Sequence, residues 1–368
     1  MIAVYTDSKF FDEYWLDKLY FSSNYTLYHS RYEYNTVLAD KKIAFTTESF
    51  ALDYDIGDPP RPGTFLPKPD FADKVNELSL VSDLVFIFSG ELHSHQWKIW
   101  NKCHHDNVYW IMPGTVTEKS LPLKNNIIIW HDWLKIIANL YKNHWPNKLA
   151  EISYNLPKPK YFDALLGQRR ANRDAVYNGV INNNLQDKFI MTYLRERGIT
   201  KLSEFIWEKD CFPVDNLMLG TFNVCSYYGL EIPLSRVIPI DVFNQTAYSI
   251  VAETNADNTI NFYTEKIAKP IITRRLFVAF TSYKFLENLR SSGFKTFDGI
   301  IDESYDQILD DSTRYCAAME QVKFLCNTDQ LEIYNQAQDI LEHNYNLLMT
   351  TDWDKVVLDQ IQQRINSL

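Results

Sequence analysis

The sequence predicts an α/β protein of two Rossmann-like domains facing across a cleft, with helices at its C-terminal end. Three observations point there. Short apolar runs of strand length alternate with stretches of helical period, the pattern of a parallel sheet covered on both faces. That pattern halts at "YNLPKPKY" (154–161), where two prolines straddle a lysine, and then restarts. A chain of 368 residues also exceeds what one hydrophobic core usually serves.

The elements follow in order. "IAVYT" reads as a strand, and Asp7-Ser8 turns the chain into an aromatic helical pattern. "KKIAFTTES" (41–49) is a second strand, and the Pro- and Gly-rich "DIGDPPRPGTFLPKPD" (55–70) is a loop. A polar helix precedes the strand "DLVFIFSGE" (83–91), and "NVYWIMPG" (107–114) and "NNIIIWHD" (125–132) complete the set. These form an acceptor-side domain over 1–155. The second domain, 156–345, opens with the strand "YFDALLG" and the helix "RANRDAVYNGVI". It continues through "DKFIMTYL", "AYSIVAET" (247–254), the helix of "NFYTEKIAKPI" (261–271), "RLFVAFTS" (275–282) and "YKFLENLRSSG". From Asp329 onward the apolar spacing is helical, and the last stretch, 346–368, is expected to cross back to the first domain.

Composition excludes several classes. A net charge of −10 argues against a broad nucleic-acid footprint, while leaving room for a local basic pocket. Five scattered cysteines without CxxC spacing suit reduced thiols and a cytoplasmic location. The start lacks a basic region followed by an apolar run, and no apolar stretch is long enough to span a membrane. Neither GxGxxG nor GxxxxGK[ST] is present. Two such domains without those glycines fit the GT-B architecture of many glycosyltransferases, in which ligands sit beyond the C-terminal strand ends.

Two stretches carry candidate chemistry. "SIVAET" ends a strand at Glu253, and a short loop leads to Thr264-Glu265-Lys266. Thr264 suits an N-cap, and a helix N-terminus favours phosphate through free N–H donors and its dipole. Lys266 adds a charge, and Glu265 can accept hydrogen bonds from a ribose diol, so a nucleotide-sugar fits better than a bare phosphate. Pro270 is then tolerable, because the first turn carries the function. The alternative is an N-cap with an ordinary surface Glu-Lys pair. In "LLGQRRANRDAV", Arg169, Arg170 and Arg173 fall on the turn and first helical turn after a strand, placed to clamp a diphosphate or to form a solvated basic face.

The order "LLG…RxxR", "IVAET…FYTEKIAKPI" and "GFKTF…IDESYD" resembles the C-terminal half of uncharacterised glycosyltransferase-like proteins, many viral, distantly similar to the α-1,3-fucosyltransferase family. The resemblance covers about residues 158–325 and is most specific at 249–306. It implies that Glu265 faces the donor ribose, that Lys266 with Arg170 or Arg173 faces the phosphates, and that Glu253 is the acidic residue before the motif. Phe262 stands at the motif's tyrosine, with Tyr263 one residue on, and Tyr263 is kept among the donor-site residues. "TRRLFVAF" also departs from the family's following strand.

An inverting transfer needs a base for the acceptor hydroxyl. Glu91, just beyond "FIFSG", is the first candidate, Asp132 the second and Asp7 the third. His93, His95, His104 and His105 have no partner at zinc-site spacing and read as surface histidines; "DWD" (352–354) reads as a helix cap, and "IDESYDQILDD" as structural. The expected function is a metal-independent, inverting glycosyltransferase, without cofactor, moving a sugar from a nucleoside-diphosphate donor to a carbohydrate or other hydroxyl acceptor. The alternatives are a non-catalytic carbohydrate- or nucleotide-binding virion protein and a glycosyltransferase acting on DNA bases.

Overall fold

The computed structural model describes residues 1–7, 15–47, 71–88, 105–117, 126–194, 224–227, 230–254, 256, 258 and 260–368. The chain divides into two compact units, Met1–Asp132 with Asp352–Leu368, and Trp133–Thr351.

The first unit is built on six parallel strands: β1 (Ile2–Thr6), β2 (Tyr25–Tyr28), β3 (Lys41–Thr47), β4 (Leu84–Phe88), β5 (Val108–Met112) and β6 (Ile127–Ile129). They lie in the order β2-β1-β3-β4-β5-β6. β1 and β4 are buried at every residue, which is why their sequences are unbroken apolar runs. β2, at the edge, is only partly buried and shows no such run, so the sequence does not reveal it. Helices α1 (Arg31–Thr36) and α2 (Phe71–Val81) belong to this unit. The order reverses between β1 and β3, opening a crevice at their C-terminal ends. There Asp7 accepts from Thr46 Oγ1 at 2.7 Å and pairs with Lys74 at 2.6 Å.

After Thr351 the chain returns to this unit as helix α10 (Trp353–Asn366). Its Val357, Leu358, Ile361 and Ile365 join the core with Val4, Phe45, Phe86 and Ile128. Asp352 caps α10, accepting from the Lys355 amide at 3.0 Å, so the "DWD" acid has a structural task.

The second unit carries four parallel strands: β7 (Lys160–Gln168), β8 (Phe189–Leu194), β9 (Thr246–Val251) and β10 (Phe277–Ala279). Their order is β10-β9-β7-β8. Chain order reverses direction from β7, so the crevice of this sheet opens where β7 and β9 end. Helices α3 (Asp132–Asn139), α4 (Ala171–Asn182), α5 (Ile240–Gln245), α6 (Glu265–Ile272), α7 (Phe285–Ser291), α8 (Asp311–Cys326) and α9 (Gln330–Thr350) complete it, with Asp132 itself counted in the first unit. α4 packs on α8 and α6 on α9. Gly179 permits the first contact, because a Cβ there would come within 2.4 Å of the Met319 methyl.

The expected boundary near 155 differs from the observed one at Asp132/Trp133. Residues 133–155 belong with the second unit through non-local bonds. The Ile238 amide donates to Tyr141 Oη at 2.5 Å, and the Ser153 amide to Asn244 Oδ1 at 2.7 Å. No described helix is long and apolar enough to cross a membrane. The "IDESYD" acids are structural: Asp306 accepts from the Leu286 and Glu287 amides, both at 2.9 Å, capping α7. Glu303 accepts from the Phe297 amide at 2.8 Å and pairs with Arg290.

One buried ion pair fastens the strands of this sheet. Arg275, 5% exposed, reaches Asp163 on β7 at 2.8 Å and Ser249 Oγ on β9 at 3.0 Å. It also satisfies the carbonyls of Phe243, Thr246 and Tyr248. Removing one partner of such a pair strands a buried charge. Arg275→Met should therefore lower unfolding free energy by about 3–5 kcal/mol in urea titration. Adding Asp163→Leu should restore part of the loss, since no lone charge then remains.

Candidate functional site

The residues at the crevice of the second sheet are organised by two helix starts. β7 runs into Gly167, and α4 follows with Arg170 as its N-cap residue. Arg173, in the first turn of α4, folds back on Gly167, where a Cβ would stand 3.3 Å from its Nη1. Glycine there makes room for the guanidinium. Asn172, fully buried, donates to the carbonyls of Glu253 and Phe280, both at 3.0 Å. It thereby ties the start of α4 to the ends of β9 and β10. In the sequence Asn172 is marked only by being an amide residue inside a basic helix start.

β9 exits at Glu253, which is wholly buried. Its Oε1 accepts from the Thr264 amide at 3.0 Å and its Oε2 from the Thr264 hydroxyl at 2.5 Å. Thr264 is the N-cap of α6, with extended backbone, and its Oγ1 accepts from the Lys266 amide at 3.3 Å. Lys266 Nζ lies 2.6 Å from Glu265 Oε1 and donates to Thr254 Oγ1 at 3.0 Å. Glu265 is 7% exposed, and Lys266 is partly exposed, its side chain at 23%.

Electrostatics make this one cluster. Burial and the neighbouring Arg170 bring the Arg173 guanidinium down to about 10, against the pull of Glu253 and Glu265, so it stays charged at neutral pH. Burial pushes the Glu253 carboxyl up to about 7, with Glu265 adding to the rise and Lys266 and Thr264 opposing it. Burial also acts to raise Glu265, but Lys266 and Lys269 outweigh it and hold that carboxyl below its ordinary value. Lys266 thus pairs with Glu265, and Arg173 lies close enough to feel both Glu253 and Glu265.

The sequence-predicted residues separate accordingly. Arg173, Glu253, Thr264, Glu265 and Lys266 come together. Arg170 is exposed beside Arg173, and Arg169, its side chain 66% exposed, pairs with Asp174 at 2.8 Å. Tyr263 is 1% exposed and its hydroxyl donates to the Phe285 carbonyl at 3.1 Å, so it serves the core. Glu253 is sealed behind Thr264 and accepts from its amide and hydroxyl. Asp132 opens α3 after β6, and Glu91, His93, His95 and His104 lie outside the described residues. His105 Nε2 lies 2.9 Å from Asn76 Oδ1. Among the described residues no three His, Cys, Asp or Glu side chains are grouped as a metal ion would require.

The second unit thus presents two helix N-termini, those of α4 and α6, at the crevice of its parallel sheet. No family model matches the chain, and no curated protein matches it. Solved structures do, among them a crystal structure of a TarM mutant from S. aureus in complex with fondaparinux, α-GlcNAc-glycerol and UDP. Identity is 8%, the match covers 79% of this chain and 58% of that one, and the TM-score is 0.33. The chain thus spans under two thirds of that protein's length.

The raised Glu253 carboxyl sets a pH dependence. Unfolded, it titrates near its ordinary 4.5; folded, near 7. Between those values the unfolded chain has lost the proton that the native state retains, so stability falls as pH rises. The stabilisation is complete below about pH 4.5 and gone above about pH 7, a span on the order of 3 kcal/mol. Urea titrations at several pH values should show the stability of the wild type relative to Glu253→Gln declining across that window. A difference independent of pH would contradict the assignment.

Proposed function

We propose that the protein is a metal-independent glycosyltransferase of GT-B type, distantly related to the fucosyltransferases, that holds a nucleoside-diphosphate-sugar donor at the crevice of its second unit. The observation that carries the reading is the meeting of Arg173, Lys266 and the N-terminus of α6 where β7 and β9 end. Lys266 and the free amides of the first turn bind the diphosphate, with Arg173 and Arg170 sharing its charge. Glu265, turned toward its lysine, accepts from the ribose diol. With cations and helix dipoles neutralising the phosphates, no divalent ion is needed.

The acceptor belongs to the first unit, whose own crevice carries Asp7 beside β1 and β3. Glu91 is the base that takes the acceptor proton, and Asp132 is the next residue to test. Inversion follows if that base activates the hydroxyl for a single displacement at the anomeric carbon.

The test begins with a thermal-shift panel of nucleoside diphosphates and their sugars on the full chain. A ligand at about 100 times its dissociation constant adds roughly 2.7 kcal/mol. Lys266→Met and Arg173→Met should each weaken diphosphate binding by about tenfold or more in calorimetry. Transfer and donor hydrolysis should survive EDTA, and Glu91→Gln should cut transfer about 100-fold with donor affinity intact. Binding without hydrolysis or transfer would leave a non-catalytic nucleotide-binding protein. Failure of every nucleotide to bind would remove the proposal altogether.

A further inference from the structure

The hydrogen bonds between Glu253 and Thr264 can run in two directions, and the direction decides what Thr264 offers a ligand. A hydroxyl has one proton to donate and two lone pairs with which to accept. Ionised, Glu253 can only accept, so the Thr264 hydroxyl donates to its Oε2 at 2.5 Å. The lone pairs of that hydroxyl take the Lys266 amide and Lys266 Nζ, both at 3.3 Å. In this state the Thr264 proton is held by the buried carboxylate.

Protonated, the carboxyl donates through Oε2 and the bond reverses. The hydroxyl proton of Thr264 is then free to serve an oxygen at the start of α6. A lone pair opens for the incoming bond once Lys266 Nζ leaves its long contact for a phosphate. Oε1 keeps accepting from the Thr264 amide at 3.0 Å, so the cap holds in both states.

The charged and titratable groups around Glu253 come from the elements packed on it. α6 brings Lys266 and its partner Glu265. α4, which holds the Glu253 carbonyl through Asn172, brings Arg173 with Arg170 beside it. The Tyr263 phenol lies just before the cap, and β10, with Phe277, Val278 and Ala279, brings no charge. Arg173 sits near 10, Glu265 below its ordinary value and Tyr263 well above its own. These three therefore keep their charge between about pH 6 and 8. Glu253, brought by burial to about 7, changes charge in that range.

We infer that an anion at the first turn of α6 binds together with a proton, which Glu253 takes up so that the Thr264 hydroxyl can donate to the anion. The inference rests on the nucleotide reading above and adds the regulation of that site. A negative charge at the helix start disfavours the ionised carboxyl. Each unit by which it raises Glu253 is about a tenfold gain in affinity at low pH over high pH.

Calorimetry on the full chain tests it with UDP-glucose, GDP-mannose, ADP-glucose and dTDP-glucose, whose diphosphate esters stay ionised throughout. Binding should be about tenfold or more tighter at about pH 6 than at about pH 8. At neutral pH the heat should vary with the buffer's ionisation heat in the sense of proton uptake. Glu253→Gln places an amide nitrogen where the protonated oxygen would donate to Thr264. It should bind at the higher pH as tightly as the wild type binds at the lower, the opposite of what a lost structural contact would do. Should Glu253→Gln fail to fold, the carboxyl carbon resonance of Glu253 in the wild type decides, because its titration midpoint must rise when nucleotide is added. Equal wild-type affinity at both pH values, no proton uptake, an unmoved carboxyl titration, or a folded Glu253→Gln that still loses affinity with rising pH would overturn the inference and leave the nucleotide reading intact. Binding of none of these nucleotides at either pH would remove that reading and the inference with it.

Discussion

The second unit depends on one contact, the carboxyl of Glu253 closing on Thr264. Both carboxyl oxygens are used, one by the amide and one by the hydroxyl of the same residue. That contact sets where α6 begins relative to the end of β9, and so where Lys266 and the first amides of the helix sit. Asn172 adds the third element by holding the Glu253 carbonyl from the start of α4. Two helix N-termini are thereby locked to one sheet edge, where separate loops would allow them to drift.

Holding this arrangement has an electrostatic cost. A carboxyl buried without direct contact to a cation resists ionisation, and Glu253 titrates near 7 for that reason. Glu265, one residue past the cap, ionises readily because Lys266 and Lys269 face it. The two acids therefore differ in task although they are close in space: one shapes the helix start and the other pairs with Lys266. Pro270 is compatible with this division. α6 ends at Ile272, and Arg274 turns the chain with a left-handed backbone, φ 51°. The proline thus sits near the end of a short helix, beyond its capped first turn.

Much of this was legible in the sequence, for identifiable reasons. Strands buried on both faces, such as Ile2–Thr6 and Leu84–Phe88, announce themselves as unbroken apolar runs. The cap at Thr264 follows from local residue chemistry, and so does the placing of Arg173 on a first helical turn. What depends on distant partners was not legible. Arg275 and Asp163 are 112 residues apart. The segment 133–155 joins the second unit through Ile238 and Asn244. Adjacent residues can also part ways, as Tyr263 turns to Phe285 while Thr264 turns to Glu253, and no spacing rule foretells that.

The central claim is that the first turn of α6, presented by Glu253, is where an anionic ligand docks. The most direct measurement is a titration of isotope-labelled protein with a nucleoside diphosphate, followed through backbone amide chemical shifts. The amides of Thr264, Glu265 and Lys266 should shift together with those of Ala171 to Arg173, along one saturating curve. Saturable shifts elsewhere in the chain with these six amides unmoved, or no saturable shift at all, would contradict it.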